Sequence, residues 1–354
     1  MVNDRYQKLI ECVKSTCQAG ESLVIKGGGT KSFYGRDCPG AILDMRPYAG
    51  IVSYEPTELV ITAHAGTLMS DIESALLEEN QALPFEPPHF GEEATLGGMV
   101  ACGLSGPRRP YTGPLRDYVL GIKCLTGKGE ILTFGGQVMK NVAGYDVSRL
   151  MTGALGTLGI LLEISLKILP KPEFEISLIR ETNLKSAIEI MNKWAGRPLP
   201  LSAACYENNH LNIRLSGKRN AIDAAIKQLD MELHPDGLEY WQNIREQQID
   251  FFKTIDNVLW RLSVPSTTGQ IDLPGDWLID WGGSQRWLKT NEPIDLVRNV
   301  VAKVGGYATL FKGGDKEDEI FHPLSPALMS IHKKLKMVFD PDRILNKGRM
   351  YKDI

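Results

Sequence analysis

The sequence predicts an α+β protein made of two unlike halves. In the first half, three glycine clusters each adjoin an apolar strand, which is typical of loops around a bound ligand. In the second half, the pattern β-α-β-β-α favours a ferredoxin-like antiparallel sheet with helices on one face. Pro170 and Pro172 punctuate the chain between the halves. We therefore expect domains at 1–172 and 173–330, followed by a C-terminal segment at 331–354.

Composition excludes several classes of protein. With 354 residues and 43% apolar residues, the chain can bury a large core. A net charge of -3 gives no indication of binding to nucleic acid or to an anionic membrane. No signal peptide pattern and no window near the roughly 20 apolar residues of a membrane span is present. We expect a cytoplasmic protein that is at most peripheral to the plasma membrane, through partners.

Cysteine and histidine spacing gives no sign of a metal site. The six cysteines have no C-x-x-C spacing, and the six histidines have no H-x-x-x-H or H-x-H spacing. Reduced thiols in a cytoplasmic compartment fit this pattern better than a disulfide set or an iron–sulfur site. We therefore expect no metal in this chain.

The first glycine cluster follows a short apolar strand. Leu23–Lys26 runs directly into Gly27, Gly28 and Gly29, and Gly35 follows shortly after. Successive N–H groups in such a turn can hold phosphate, although a simple tight turn is the alternative. Thr30 stands where a P-loop needs the glycine before its lysine, and no G-x-G-x-x-G occurs here.

Two further clusters follow at 94–106 and 153–160. Both are rich in glycine and alanine, so the backbone there can lie against a flat or polyanionic ligand. A close contact between helices is the alternative for the second cluster. The third runs into Leu161–Ile168, which alternates like a half-buried strand. Residues 118–125 and 130–134 predict a hairpin across Thr126–Gly129.

Apolar spacing in the second half predicts several further elements. Ala203–Tyr206 and 211–215 form a hairpin across Asn208 and Asn209. A last helix carries Leu328, Ile331, Leu335 and Val338 and ends at Asp340–Pro341. The remaining elements are strands at 174–179, 258–264 and 277–281 and helices at 184–191, 222–229 and 294–304.

Three glycine loops in one half suit a dinucleotide, which has a polyanionic spine and flat rings. The first half resembles the FAD-binding domain of the vanillyl-alcohol oxidase/p-cresol methylhydroxylase (PCMH-type) flavoproteins. Within that family, the chain is similar to the smaller flavin-binding subunits of bacterial glycolate oxidases. The stretches that carry the resemblance are Lys26–Thr30, Ala94–Gly98, Leu115–Gly121, Lys140–Asn141, Gly144–Asp146, Gly156–Gly159, Asp340–Pro341 and Ile344–Asn346.

The resemblance implies that the loops hold FAD, with backbone donors to the pyrophosphate from Lys26–Lys31 and Thr95–Ala101. It also implies that Gly156–Ile160 lies along the cofactor and that Asn346 returns to the flavin side. Without the resemblance, Asn346 would be interpreted as a helix-ending residue. The implied cofactor-binding residues are Lys26, Gly27, Gly28, Gly29, Thr30, Lys31, Gly35, Thr95, Leu96, Gly97, Gly98, Ala101, Arg116, Asp117, Gly156, Thr157, Gly159, Ile160 and Asn346.

Departures from the family pattern limit what the resemblance implies. Thr30 stands where covalent members carry a histidine bonded to the flavin, so the FAD is expected to be noncovalent. Met99 and Gly103 replace an asparagine of the relatives acting on 2-hydroxy acids, and Ala154–Leu155 replaces Ser-Glu. Their His-x-Gly-x-x-Asn-x-His metal motif is absent here.

The implied function is an FAD-carrying subunit of a complex that oxidises glycolate to glyoxylate. The implied partners are a larger FAD-binding glycolate oxidase subunit and an iron–sulfur subunit. The catalytic residues stay open; Arg108, Arg109, Tyr111 and His89 are candidates for substrate contact, although each also fits an ordinary structural role. A self-sufficient FAD dehydrogenase of another hydroxy acid or alcohol and a non-catalytic assembly subunit are the alternatives.

Overall fold

The structure is a computed structural model that describes residues 5–136, 146–253, 258–317 and 319–354. The helices of these residues are α1 (Gln7–Ala19), α2 (Met69–Glu78), α3 (Leu96–Cys102), α4 (Arg109–Thr112), α5 (Val147–Met151), α6 (Leu184–Ala195), α7 (Arg219–Ile226), α8 (Gly237–Glu246), α9 (Asp250–Lys253), α10 (Ile294–Lys303) and α11 (Pro326–Phe339). No described helix is both long and apolar enough to cross a membrane. Lys140, Asn141, Gly144 and Tyr145 lie outside the described residues.

Short strands make up four sheets in the described residues. The strands are β1 (Leu23–Lys26), β2 (Ala41–Asp44), β3 (Ile51–Glu55), β4 (Val60–His64), β5 (Gln81–Ala82), β6 (Val119–Leu125), β7 (Ile131–Gly135), β8 (Ile160–Lys167), β9 (Leu169–Pro170), β10 (Phe174–Glu181), β11 (Leu201–Glu207), β12 (His210–Gly217), β13 (Glu232–Leu233), β14 (Val258–Ser263), β15 (Asp276–Asp280), β16 (Gln285–Thr290) and β17 (Tyr307–Lys312).

The first half contains two main sheets, besides the two-residue pair of β5 and β9. The two main sheets correspond to the two subdomains that the resemblance to PCMH-type FAD-binding domains implies. The smaller one is the parallel pair β1 and β2, extended by a parallel bridge between Leu23 and Leu345. The larger one has the antiparallel order β3-β4-β8-β6-β7. Helices α2 and α3 cover it through Ile72 and Val100, which pack with Ile164 of the central strand. Burying side chains of this size contributes about 1.5–3 kcal/mol each.

The second half forms one eight-stranded antiparallel sheet in the order β13-β10-β12-β11-β15-β16-β14-β17. The strands β10 to β13, numbered along the chain, lie in the spatial order 4-1-3-2. Counted from the opposite edge of the sheet, the strands β14 to β17 lie in the same order. The two sets join where Tyr206 of β11 pairs with Ile279 of β15. The predicted ferredoxin-like arrangement is therefore present in β10 to β13. Its strand order recurs in β14 to β17, although no described helix lies between β14 and β15.

Local sequence explains where several elements begin and turn. Asn208 and Asn209 have φ of 46° and 60°, as a two-residue type I′ hairpin turn requires. The Asn183 side chain accepts from the Ser186 N–H at the start of α6, and Ser325 caps α11 in the same way. These caps satisfy N–H groups that a helix leaves without a backbone partner.

The last helix was predicted correctly, but its apolar residues do not form the expected buried face. Leu328, Ile331 and Val338 are exposed, whereas Lys336 is buried. Helix α8 and strands β16 and β17 were not predicted at all. β16 is fully buried although its sequence, QRWLKT, is mostly polar, so no apolar alternation marked it as a strand.

Buried charges join the two halves of the molecule. Glu86 of the first half accepts from Arg108 and, at 2.8 and 2.9 Å, from Arg214 of β12. Arg108 also bonds to Glu175 of β10. Burial alone would raise the pKa of Glu86, but the two guanidinium groups outweigh it and hold this pKa below its usual range. The predicted domain limits at 172/173 and 330/331 stay predictions.

Candidate functional site

All three glycine clusters meet at one cleft of about 360 Å³. It lies beside β1 and β2, next to the start of α3 and the residues before β8. The C-terminal segment closes one side with Asn346 and Arg349. The cleft is lined by Val24, Ile25, Lys26, Gly27, Gly28, Gly29, Thr30, Lys31, Ser32, Asp37, Cys38, Ile42, Met45, Ala65, Thr95, Gly97, Gly98, Ala101, Cys102, Leu155, Gly156, Gly159, Leu161, Asn346 and Arg349.

The first loop presents a row of free backbone donors to the cleft. The N–H groups from Gly27 to Lys31 have no hydrogen-bond acceptor within the described part of the chain. The turn is instead held by its carbonyls, because Gly29 O accepts from Ser32 N–H and Lys31 O from Tyr34 N–H. A buried backbone donor without a partner is costly. The loop therefore suits a ligand that brings several acceptors, such as a pyrophosphate.

The glycines of the first two clusters allow the loops to pack on one another. A Cβ at Gly28 would lie 1.5 Å from the Glu93 carbonyl oxygen, and one at Gly27 would lie 2.2 Å from Thr95 Oγ1. A Cβ at Gly97 would lie 2.8 Å from Ala65 Cβ. For these glycines the constraint is therefore contact between loops, which positions the free N–H groups of the first loop.

The second cluster offers fewer donors than the sequence suggested. The N–H groups of Leu96 and Gly97 donate to Thr67 O and Ala65 O, at 2.9 and 2.7 Å. Gly98 N–H donates to Thr95 Oγ1, the side chain that caps α3. The cluster is a short helix packed closely on its neighbours, so the close-contact alternative explains its small residues. The amides of Leu96 and Gly97 do not contribute to a phosphate site.

Asn346 ties the third cluster to the first. Its Oδ1 accepts from Ile25 N–H at 2.7 Å, and its Nδ2 donates to Leu155 O at 2.6 Å. Its own N–H donates to Leu23 O. Gly156 has φ of 72°, and a Cβ there would lie 2.6 Å from Asn346 Nδ2. Asn346 thus fixes the geometry of the cleft wall through bonds to the protein itself.

Cations outnumber anions at the cleft. Lys26 is exposed, Lys31 is buried, and Arg349 is half-buried; Asp37 is the one lining carboxylate in the described residues. Lys31 Nζ donates to His89 O at 3.0 Å, and burial lowers the pKa of Lys31. Arg349 donates to the carbonyls of Ser32, Tyr34 and Arg36. This balance of charge favours an anionic ligand.

Some predicted cofactor residues do not line the cleft. Arg116 and Asp117 are exposed and pair with each other, and Asp117 also pairs with Arg149. Gly35 has φ of 89° and packs on Arg349 and Leu155. The other three, Leu96, Thr157 and Ile160, are buried in the core. These six residues lie outside the cleft lining, and their assignment to the cofactor stays a prediction.

Sequence reasoning also missed lining residues. Asp37, Cys38 and Arg349 belong to no motif. The apolar pattern at Ile42 and Met45 indicates only a strand. Burial raises the pKa of Cys38 and of Cys102, so both thiols stay protonated at neutral pH. A cation three residues after the Asn346 stretch was the one signal available for Arg349.

The candidates for substrate contact have other partners. Arg108 is held by Glu86 and Glu175, and Arg109 stacks on Trp281 with its guanidinium carbon 4.3 Å from the ring centroid. His89 Nε2 lies 3.1 Å from Glu73. Tyr111 is not among the cleft residues. None of the four lines the cleft, so the structural interpretation holds for each of them.

The second sheet supplies no residue to the cleft among the described residues. Where the halves meet, the rings of Phe33 and Phe90 pack with Phe311 of β17, and the Phe33 centroid lies 5.6 Å from that of Phe90 and 5.4 Å from that of Phe311. Lys312 Nζ lies 4.9 Å from the Phe33 ring and 2.7 Å from Gln247 Oε1. Burial lowers the pKa of Lys312 to about 8. Aromatic side chains therefore occupy the space where the halves meet.

FAD fits these features, because the free N–H row and the cations match a pyrophosphate and the long cleft matches a dinucleotide. Residues 4–135 match the model of the FAD binding domain family. The "alkyldihydroxyacetonephosphate synthase" structure superposes with a TM-score of 0.67 and 16% identity, covering 96% of this chain and 74% of that one. Fold and cleft together define a flavoprotein with a PCMH-type FAD-binding domain.

Two curated relatives show which family of flavoproteins the chain is similar to. "Glycolate oxidase subunit GlcE" of Escherichia coli (strain K12) is 49% identical over 351 residues, which is 99% of this chain and 99% of the relative. "Glycolate oxidase subunit GlcD" of Bacillus subtilis (strain 168) is 34% identical over 161 residues, 44% of this chain and 34% of the relative. The chain belongs to the GlcE family of glycolate oxidase subunits.

Proposed function

We propose that this chain is the FAD-binding subunit of a multi-subunit glycolate oxidase that converts glycolate to glyoxylate. The full-length similarity to a named glycolate oxidase subunit carries this proposal. The cleft supports it, because a first loop with five free N–H groups and a surplus of cations suits the FAD pyrophosphate. The shorter match to GlcD supports a larger FAD-binding subunit as partner.

The chain's own residues would bind and orient the cofactor. The N–H groups from Gly27 to Lys31 would hold the pyrophosphate, with Lys31 and Arg349 adding positive charge. Asn346 would keep the third cluster against β1. Bound FAD would supply the acceptor for the hydride, which carries the two electrons that glycolate loses on oxidation, while the hydroxyl proton leaves separately.

Electrons leaving the flavin would pass to an iron–sulfur centre on another subunit. Such a centre needs four cysteine thiolates at one place. The six cysteines of this chain are free, and Cys124 and Cys205 are buried in different cores. In the described residues, no three His, Cys, Asp or Glu side chains are arranged to hold a metal ion.

This subunit alone is expected to bind FAD without oxidising glycolate. The aromatic rings of Phe33, Phe90 and Phe311 pack together where the first half meets the second sheet. Arg108 and Arg109, the nearest candidates for a substrate carboxylate, are already paired.

The chain would be purified alone and as the co-expressed complex, each with FAD, and glycolate-dependent dye reduction would be followed. We expect turnover from the complex and none from the chain alone. Turnover by the isolated chain at the rate of the complex would instead identify a self-sufficient dehydrogenase.

The FAD is expected to be noncovalent. Thr30 has no group that could bond to the flavin, and its hydroxyl donates to His89 O at 2.7 Å. Acid precipitation of the holoprotein should therefore leave a white pellet and release all of the flavin to the supernatant. A yellow pellet would contradict noncovalent binding while leaving the assembly role intact.

A further inference from the structure

Helix α11 leaves several apolar side chains exposed and buries a lysine. Its side chains Leu328, Ile331 and Val338 are 47%, 51% and 61% exposed, whereas Lys336 is 1% exposed. Exposed apolar residues that occur singly are normal, but a contiguous set on one element indicates an interaction surface. We call the surface made by Ala327, Leu328, Ile331 and Val338 the α11 outer face.

The spacing of the outer face fits another helix. Leu328, Ile331, half-buried Leu335 and Val338 follow one another at intervals of three, four and three residues. This is the a/d spacing of helices that pack side by side. Fourteen residues give a helix about 21 Å long, which is enough for three turns of such contact. The face therefore fits an apolar helix better than a flat surface or a small ligand.

Charge around the outer face is positive. The helix carries three lysines and no Asp or Glu. Lys336 is buried with Asp340, and Lys333 pairs with Asp353, while Lys334 is exposed on the same helix, between Ile331 and Val338 in the sequence. A helix that lies here would be favoured by carboxylates beside its apolar stripe, since complementary charge guides association.

The outer face is connected to the FAD cleft through the inner side of the same helix. Lys336 Nζ donates to Thr157 O, beside the third cluster, and to Leu345 O, next to Asn346. It lies 2.7 Å from Asp340 Oδ2. A partner on the outer face is thus one helix diameter from the segment that closes the cleft, a position suited to a subunit that exchanges electrons with the flavin.

We propose that the α11 outer face is the docking surface for a partner subunit of the complex, through an amphipathic helix whose apolar stripe is flanked by carboxylates. This inference rests on the proposed function, because it needs the chain to be one subunit of an assembly. A second copy of this chain is the alternative occupant.

The test uses the co-expressed complex with an affinity tag on this chain. The variant Ile331→Glu/Val338→Glu places two carboxylates on the outer face without touching the buried side of α11. The matched control is Leu238→Glu on α8, an equally drastic change at a residue that is 72% exposed on another surface. Flavin content, partner stoichiometry after tag purification and the mass of the isolated chain in solution are measured.

We expect the double variant to keep one FAD per chain and to weaken partner binding at least about tenfold, because two carboxylates would replace the apolar contacts. Leu238→Glu should retain the partner. Lys334→Glu should weaken binding several-fold at low salt and less at high salt.

Full partner stoichiometry in the double variant would overturn the docking proposal. The proposal would also fail if the isolated wild-type chain is a dimer, the isolated double variant is a monomer, and the double variant still binds the partner. The outer face would then join two copies of this chain. A wild-type chain that binds FAD but recruits no partner at all refutes the proposed function itself, which distinguishes the two failures.

Discussion

Gly28 shows at the scale of one residue how the cleft is built. No side chain fits there, since the Glu93 carbonyl oxygen occupies the position of a Cβ. That contact fixes the first loop against the residues before α3 and so aims the N–H groups of Gly27 to Lys31 into the cleft. The glycine motif was visible in the sequence because packing and ligand binding both require it.

Gly28→Ala is therefore expected to lower FAD affinity at least about tenfold, because the two loops must separate to make room. Overpacking of this kind costs about 1–3 kcal/mol of stability. The control is Gly269→Ala, where a Cβ would meet nothing within 4 Å. Flavin retained after desalting and thermal unfolding of both variants check this; equal flavin in both would show that the loop contact does not matter for binding.

Residues without a motif were out of reach of sequence reasoning. Arg349 reaches the cleft only because Asn346 and Leu345 place the C-terminal segment beside β1. Conversely, Arg116 and Asp117 belong to a recognisable stretch and yet lie on the surface away from the lining. Membership of a motif thus identified the loops, but tertiary packing decided which side chains face the ligand.

At the scale of elements, one buried ion pair fixes α11 and the C-terminal segment. Lys336 and Asp340 are both buried, and Asp340 also accepts from the N–H groups of Ile344 and Leu345. Burial lowers the pKa of Lys336, while the Asp340 carboxylate opposes that shift. The pair therefore positions the turn that carries Asn346 to the cleft.

Lys336→Met should lower the free energy of unfolding by about 3–5 kcal/mol, because it leaves Asp340 buried without its cation. The double variant Lys336→Met/Asp340→Asn should recover part of that loss. Urea unfolding followed by tryptophan fluorescence measures both. A single variant as stable as the wild type would mean that water or a rearranged side chain compensates the carboxylate.

Elements with clear periodicity were predicted, and those with mixed composition were not. The order β10-α6-β11-β12-α7 followed from apolar spacing and from the Asn208–Asn209 turn. β16 was missed because Arg286 and Lys289 are buried in it and Arg286 bonds to the carbonyls of Thr268, Gly269 and Gly283. Only tertiary partners make such a polar strand stable.

At the scale of the whole molecule, polar contacts join the two halves. Trp281 Nε1 donates to Gly106 O across the junction. Beside it, Asp280 is buried and accepts from Trp281 N–H at 2.7 Å. Burial and, secondarily, the nearby Glu86 carboxylate raise the pKa of Asp280 to about 7. This carboxyl is neutral in moderate acid and becomes charged near neutral pH.

Because its folded pKa lies above its unfolded value, Asp280 stabilises the fold fully only at low pH. Its contribution to the free energy of unfolding falls by up to about 1.4 kcal/mol per pH unit as the pH rises towards about 7. We expect the unfolding free energy of the wild type, relative to Asp280→Asn, to fall between pH 5 and 7 and then level off. Urea unfolding of both proteins at each pH tests this; a constant difference would contradict it.

The bond between Ile25 and Asn346 has a consequence for how the protein is made. It joins residues 321 positions apart, so β1 gains its second neighbour, the C-terminal segment, only late in translation. At 5–20 residues per second the wait is about 16–64 s. Throughout that time the glycine loop lacks one wall, so the complete cleft forms only after this segment has been synthesised.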